Sequence, residues 1–162
     1  MLKLFKVKNK VLSMAKTGDI KIEIDSYNND SIFDLVDFIN AFEEESWSLN
    51  DHGNISYLPL HDDDNYDWKI KPISFRREII PLLKEKQKCN ETIGVNFYSN
   101  KYNTGFSLLV YNNYNTINFI LYNNVKRIEE LSITDFSWYI KKIIPILNRL
   151  DIDYEYISCS EG

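Results

Sequence analysis

The sequence predicts an α+β fold in a single domain covering residues 1–162: a mostly antiparallel, twisted sheet packed by two or three helices. Three observations predict it. Between about residues 92 and 122, three segments alternate apolar and polar residues, separated by Asn-rich turns, which is the signature of a meander. Elsewhere, apolar residues recur three and four apart, the spacing that gives a helix one buried face. Finally, no Gly/Ser- or Pro-rich linker interrupts the chain, and its length suits one hydrophobic core.

In chain order, Met1 to Lys10 interleaves lysines with Leu2, Leu4, Phe5 and Val7. A secretory leader needs a continuous apolar run after its basic start, so this stretch reads as a strand. Nothing approaches the roughly 18 apolar residues of a membrane span, and a cytoplasmic protein is expected. Ile20-Lys21-Ile22-Glu23-Ile24 alternates as a half-buried strand. A helix follows, with Ser31 as its cap and Asp34 in the position of a capping-box acid. Its inner face is Ile32, Leu35, Val36, Ile39 and Phe42.

A long polar loop from Ser46 to Asp67 contains a short strand around Ile55–Leu60. Ser74 to Lys88 predicts a second helix with Phe75, Ile79, Leu82 and Leu83 inward. Pro81 lies within it, so the helix is expected to kink or to start late. In the meander, Ile93, Val95 and Phe97 alternate first, then Phe106, Leu108 and Val110, then Ile117, Phe119 and Leu121. Gly94 and Gly105 are expected at a bulge or turn. The last helix starts near Thr134 as N-cap, with Phe136, Ile140, Ile143, Leu147 and Leu150 inward and Pro145 interrupting. Tyr154 to Ser158 is expected to be an edge strand.

Charge is unevenly placed. The net charge is −5, yet residues 19–67 carry fourteen acids against Lys21 alone. Asp30, Asp34 and Asp37 fall in or before the first turns of a helix, where acids help the fold. Glu43-Glu44-Glu45 falls at a helix end where the dipole disfavours acids. That run and the acids through Asp67 have no local structural reason, so a cationic partner is expected there. Dense negative charge speeds association with such a partner by steering.

A search for catalytic chemistry finds no Gly-rich phosphate loop, no His-Glu-x-x-His, no Gly-x-Ser-x-Gly and no Cys-x-x-Cys. Cys89 and Cys159 match no metal or redox spacing. His52, His61, Asp62, Asp63, Asp64 and Asp67 cluster, but the run lacks the glycine and closing Glu of a calcium loop. No enzyme activity, cofactor or metal is expected. Nucleic-acid binding is the competing reading. It would use Lys6, Lys8, Lys10, Arg76, Arg77, Lys84, Lys86 and Lys88, with Tyr98, Tyr102, Tyr111 and Tyr114 stacking on bases. The acidic block argues against it.

From about residue 50 to 145 the order of elements is suggestive. An acidic loop carrying Leu58-Pro59-Leu60 and Trp68 leads to an amphipathic helix and the meander ending Leu121-Tyr122-Asn123-Asn124. Glu129-Glu130 and a final helix follow. This order resembles the immunity proteins of bacterial contact-dependent growth inhibition systems, particularly the group whose toxin cleaves RNA. The acidic helix before residue 50 lies outside the resemblance. The resemblance implies a non-enzymatic inhibitor that occludes the active site of one cognate toxin C-terminal domain, with no catalytic residues. A nuclease must attract phosphates, so its surface is basic. The expected partner-binding residues are Glu43, Glu44, Glu45, Asp51, Asp62, Asp63, Asp64 and Asp67, with Trp47, Tyr57, Tyr66 and Trp68 as aromatic anchors.

Overall fold

A computed structural model describes residues 17–25, 34–62, 64–111 and 114–162. The strand expected at Met1 to Lys10, the Ser31 cap, Ile32, Asp63 and the turn residues Asn112 and Asn113 lie outside the described residues. The elements run β1 (Gly18–Ile24), α1 (Leu35–Glu44), β2 (Asn54–Tyr57), β3 (Lys69–Pro72), α2 (Arg76–Lys88), β4 (Ile93–Ser99) and β5 (Thr104–Val110). They continue with β6 (Thr116–Asn123), β7 (Arg127–Ile128), β8 (Ile133–Thr134), α3 (Phe136–Arg149) and β9 (Tyr154–Glu161). The fold is α+β, as the sequence predicts.

Seven strands form one sheet in the order β3-β2-β4-β5-β6-β1-β9, and every pairing is antiparallel. The meander β4-β5-β6 sits at its centre. There Ile93, Val95, Phe97, Phe106, Leu108, Val110, Ile117, Phe119 and Leu121 are all buried on one face. The helices pack on that same face. Phe42 of α1 stacks on Phe38 and meets Phe97, Phe106 and Phe119 of three adjacent strands. Ile79 and Leu83 of α2 and Tyr139, Ile143, Ile146 and Leu147 of α3 complete this core. Phe38, fully buried, belongs to the inner face of α1, whereas Val36 is only half-buried.

The helix N-caps lie further along the chain than expected, by three residues in α1 and by one in α3. Asp34 is itself the N-cap of α1, accepting from the Val36 and Asp37 amides at 2.8 and 3.0 Å. Asp135 rather than Thr134 caps α3, accepting from the Trp138 amide at 3.0 Å. Thr134 instead ends β8. A 3-10 turn over Ile73–Phe75 leads into α2, so the helix does start late, and Pro81 lies inside it. Pro81 and Pro145 both face solvent, where the carbonyl left without its helical partner is open to water.

Gly94 is neither a bulge nor a turn. A Cβ there would lie 2.6 Å from Leu58 and 2.9 Å from Trp68. Those two side chains pack over Gly94, on the face of β4 away from the helices. Gly105 does mark an irregularity, where the β5–β6 register shifts. A Cβ there would sit 2.6 Å from the Phe97 carbonyl oxygen, a backbone atom that cannot rotate away. Gly105→Ala should therefore cost about 1–3 kcal/mol, the range for overpacking. A urea midpoint unchanged from wild type would show that β4 and β5 are not this close.

The two sheet edges differ. β3 is short and fully exposed, with Lys69, Lys71 and Pro72 in its four residues, all of which discourage further strand pairing. β9 is the opposite edge and extends to Glu161, three residues past the expected end. Among the described residues no helix is long and apolar enough to cross a membrane.

Candidate functional site

The eleven expected partner-binding residues that the structure describes, all but Asp63, do not form one patch. They divide among the helix layer, one end of the sheet and the opposite end. In the helix layer, the glutamates at the end of α1 have partners far away in sequence. Arg76 grips Glu43 with both guanidinium nitrogens at 2.6 and 2.8 Å, joining α1 to α2. Arg149, at the end of α3, lies 3.3 Å from Glu44 and 3.0 Å from Glu45. It also donates to the Ala41 carbonyl at 2.9 Å. An arginine on the last turn of α1 offsets the unfavourable dipole that its own acids face. These glutamates thus have a structural reason that is tertiary rather than local.

Two of the expected aromatic anchors are core residues. Trp47 is 1% exposed and packs against Tyr102, Phe106 and Trp138. Tyr57 is buried beside β4. Neither reaches a partner in this fold. Asp51 lies at the far end of β2 from the Asp62 loop. It holds His52 Nδ1 at 2.6 Å, and the imidazole packs at a tilt against Tyr98 with centroids 4.8 Å apart. Four residues of strand separate the two places, on the order of 13 Å.

The segment from Leu58 to Trp68 is the candidate site. Asp62 is buried, and its carboxylate accepts from the Tyr66 and Asp67 amides at 2.7 and 2.9 Å. It therefore shapes the loop instead of facing a partner. Asp64 accepts from the Thr92 hydroxyl at 3.3 Å and is exposed. Asp67 is exposed beside Lys69 at 2.6 Å. Tyr66 is exposed, and partial desolvation, with Tyr111, Asp64 and Asp62 nearby, raises its pKa. Trp68 is half-buried over Gly94. His61, Asp64 and Tyr66 all have left-handed backbone, with φ of 60°, 58° and 57°. Side chains other than glycine adopt this conformation at a cost, so surrounding contacts must hold it.

Those contacts centre on Lys86, which the nucleic-acid reading placed on the surface. It is 1% exposed. Its Nζ donates to the Pro59 carbonyl at 2.6 Å and to Glu91 at 3.0 Å. Glu91 also accepts from the His61 amide at 2.9 Å and contacts the His61 ring at 2.9 Å. Burial pushes the Glu91 carboxyl up, but the Lys86 and His61 hydrogen bonds outweigh it and hold the pKa below its ordinary value. Tyr114 closes the same corner by donating to the Glu91 carbonyl at 2.9 Å. Its hydroxyl, buried and close to Glu91, is pushed up to about 12. Sequence reading missed this network because Glu91 stands alone in a turn. The only signal was a lysine at position 86 on the same helical face as Ile79 and Leu83.

Several residues of the competing nucleic-acid reading are engaged elsewhere. Arg76 is paired with Glu43, Tyr98 is buried, and Tyr102 lies against Trp47 and Trp138. Lys6, Lys8 and Lys10 lie outside the described residues. Among the described residues no three His, Cys, Asp or Glu side chains are placed to hold a metal ion. Cys89 and Cys159 are both free and exposed. No family model, no curated protein and no solved structure matches this chain.

Proposed function

We propose that the chain is a non-enzymatic immunity protein of the contact-dependent growth inhibition type. In this reading it binds one cognate toxin C-terminal domain, a nuclease with a basic active site, in the cytoplasm and blocks access to it. The observation that carries the reading is the pre-shaped loop from Leu58 to Trp68. It presents Asp64, Tyr66 and Asp67 outward while Asp62, Lys86 and Glu91 fix its backbone. Holding a loop in its binding shape beforehand removes ordering cost from association. Between residues 46 and 68 the sequence has five acids and no lysine or arginine, so the loop suits a cationic surface.

The test uses the C-terminal domain of the polypeptide encoded immediately upstream. Asp64→Lys combined with Asp67→Lys should slow its association about tenfold or more at low salt and flatten the salt dependence. Folding stability should fall by no more than about 1–2 kcal/mol, since neither carboxylate is buried but Asp64 has left-handed backbone and accepts from the Thr92 hydroxyl. An unchanged association rate removes this loop from the interface. A gel shift of single-stranded RNA at physiological salt would favour the nucleic-acid reading instead.

A further inference from the structure

The described helices all pack on one face of the seven-stranded sheet. On the other face, strand alternation places Asn96 of β4, Ser107 of β5, and Asn118, Ile120 and Tyr122 of β6. These three central strands contain no charged residue. Their polar side chains are tied to one another across the strands. Ser107 Oγ donates to Asn96 Oδ1 at 2.8 Å, and Asn96 Nδ2 donates to the Tyr122 hydroxyl at 2.7 Å. Tyr122 nevertheless stays 41% exposed.

Charge begins at the border of this uncharged centre. Asp19 and Glu23 of β1 stand on the same face beyond β6, and Asn118 Nδ2 donates to Asp19 at 3.4 Å. Burial, and then the Asp51 carboxylate, raise the Tyr122 pKa, which puts Asp51 beside the same face. Leu58 and Trp68 pack over Gly94, so the loop that carries Asp64 and Asp67 adjoins it as well. The neighbouring lysines do not cancel this border. Lys21 is paired with Glu23 at 3.0 Å and Lys69 with Asp67 at 2.6 Å. Lys71 lies over Phe75 at 4.9 Å, opposite core-facing Ile55. Among the described residues Asp19 and Asp64 have no ion-pair partner, and Asp51 has His52.

An uncharged centre holding tyrosine, inside a charged rim, is the layout of a protein interface. Tyr, Ser and Asn give contact area and adaptable hydrogen bonds at low ordering cost. We infer that this helix-free face, continuous with the Leu58–Trp68 loop, is a contact surface for the basic partner domain. Tyr122 and Ser107 lie in its centre, and Asp19, Asp51 and Asp64 meet cations at its rim. This rests on the reading that the chain works by binding a basic partner. A second copy or a nucleic acid fits less well, because either would bring negative charge against an acidic rim.

The experiment measures affinity for the same upstream-encoded C-terminal domain by calorimetry. It compares wild type, Tyr122→Ala and Ser107→Arg, each checked by thermal melting. Both variants should fold, since both side chains stand on the face without helices, and both should bind at least about tenfold more weakly. Should Ser107→Arg fail to fold, Tyr122→Ala decides alone. Folded variants that bind as tightly as wild type overturn the sheet-face contact and leave the immunity reading intact. A wild-type chain that does not bind the domain overturns both. A wild-type dimer in sedimentation that Ser107→Arg abolishes would also overturn the inference, since the occupant would then be a second copy. So would a gel shift of single-stranded RNA that Tyr122→Ala abolishes, which would put nucleic acid on this face.

Discussion

Phe42→Ala should lower folding stability by about 3–5 kcal/mol, the range for removing a buried aromatic ring. Phe42 is fully buried, and its ring lies 4.7 Å from Phe38, 5.4 Å from Phe97, 5.9 Å from Phe106 and 6.0 Å from Phe119. One side chain therefore couples α1 to three central strands. Truncating it removes the transfer energy of the ring and leaves a cavity among side chains that are themselves in contact, so the site cannot collapse cheaply. A domain of this size has about 5–15 kcal/mol in total, so the variant should be close to its unfolding midpoint in mild denaturant. Urea unfolding followed by tryptophan fluorescence reads this directly, since Trp47 packs on Phe106. A loss below about 1 kcal/mol would mean that the helix layer does not sit on the sheet as described.

Glu91→Ala should cost about 3 kcal/mol, and more than Lys86→Met. Lys86 is 1% exposed while its partner Glu91 keeps some solvent contact. Removing Glu91 strands a buried ammonium with the Pro59 carbonyl as its remaining partner, and an uncompensated buried charge is the costly outcome. Removing Lys86 leaves a carboxylate that still holds His61 and reaches water. Equal losses from the two variants would contradict this asymmetry. The pair also sets an acid limit. The Glu91 carboxyl is held below its ordinary value of 4.5, so its contribution is fully present above that pH. It is lost as pH falls below 4.5 and through the folded-state pKa. Wild type should lose stability in that window, and Glu91→Gln should lose less of it across the same range. An identical acid profile for both proteins would remove Glu91 as the cause. Since the same network holds the Leu58–Trp68 loop, Glu91→Ala should also weaken partner binding more than a surface substitution of equal charge.

Much of the fold was legible because its signals are local. Ile20, Ile22 and Ile24 alternate, as do the three meander strands, and a period of two is a property of the strand itself. The α3 stripe through Ile143 and Leu147 reads equally well, as does the edge strand from Tyr154. The elements that escaped are short or disguised. β3 is four residues of Lys-Ile-Lys-Pro with no buried face, and β7 and β8 have two residues each. Periodicity cannot register so few positions, although Arg127-Ile128-Glu129-Glu130-Leu131-Ser132-Ile133 does alternate around a pair of acids.

The sequence by itself determined the longer strands and the helices, most of their apolar faces, and that negative charge is concentrated before residue 68. Those follow from composition and spacing along one chain. Only the tertiary structure decided what each charged or aromatic residue does. Glu43 meets Arg76 across 33 positions, and Glu45 meets Arg149 across 104. Trp47 and Tyr57 turn inward, Lys86 is buried under Pro59, and Asp62 spends its carboxylate on the Tyr66 and Asp67 amides. The physical reason is that an ion pair or a buried hydrogen bond depends on which chain segments the fold brings within about 3 Å of each other. Spacing in sequence carries no record of that. The acidic stretch thus separates into glutamates that fasten helices, an aspartate that shapes a loop, and Asp64 and Asp67, which stay exposed on that loop.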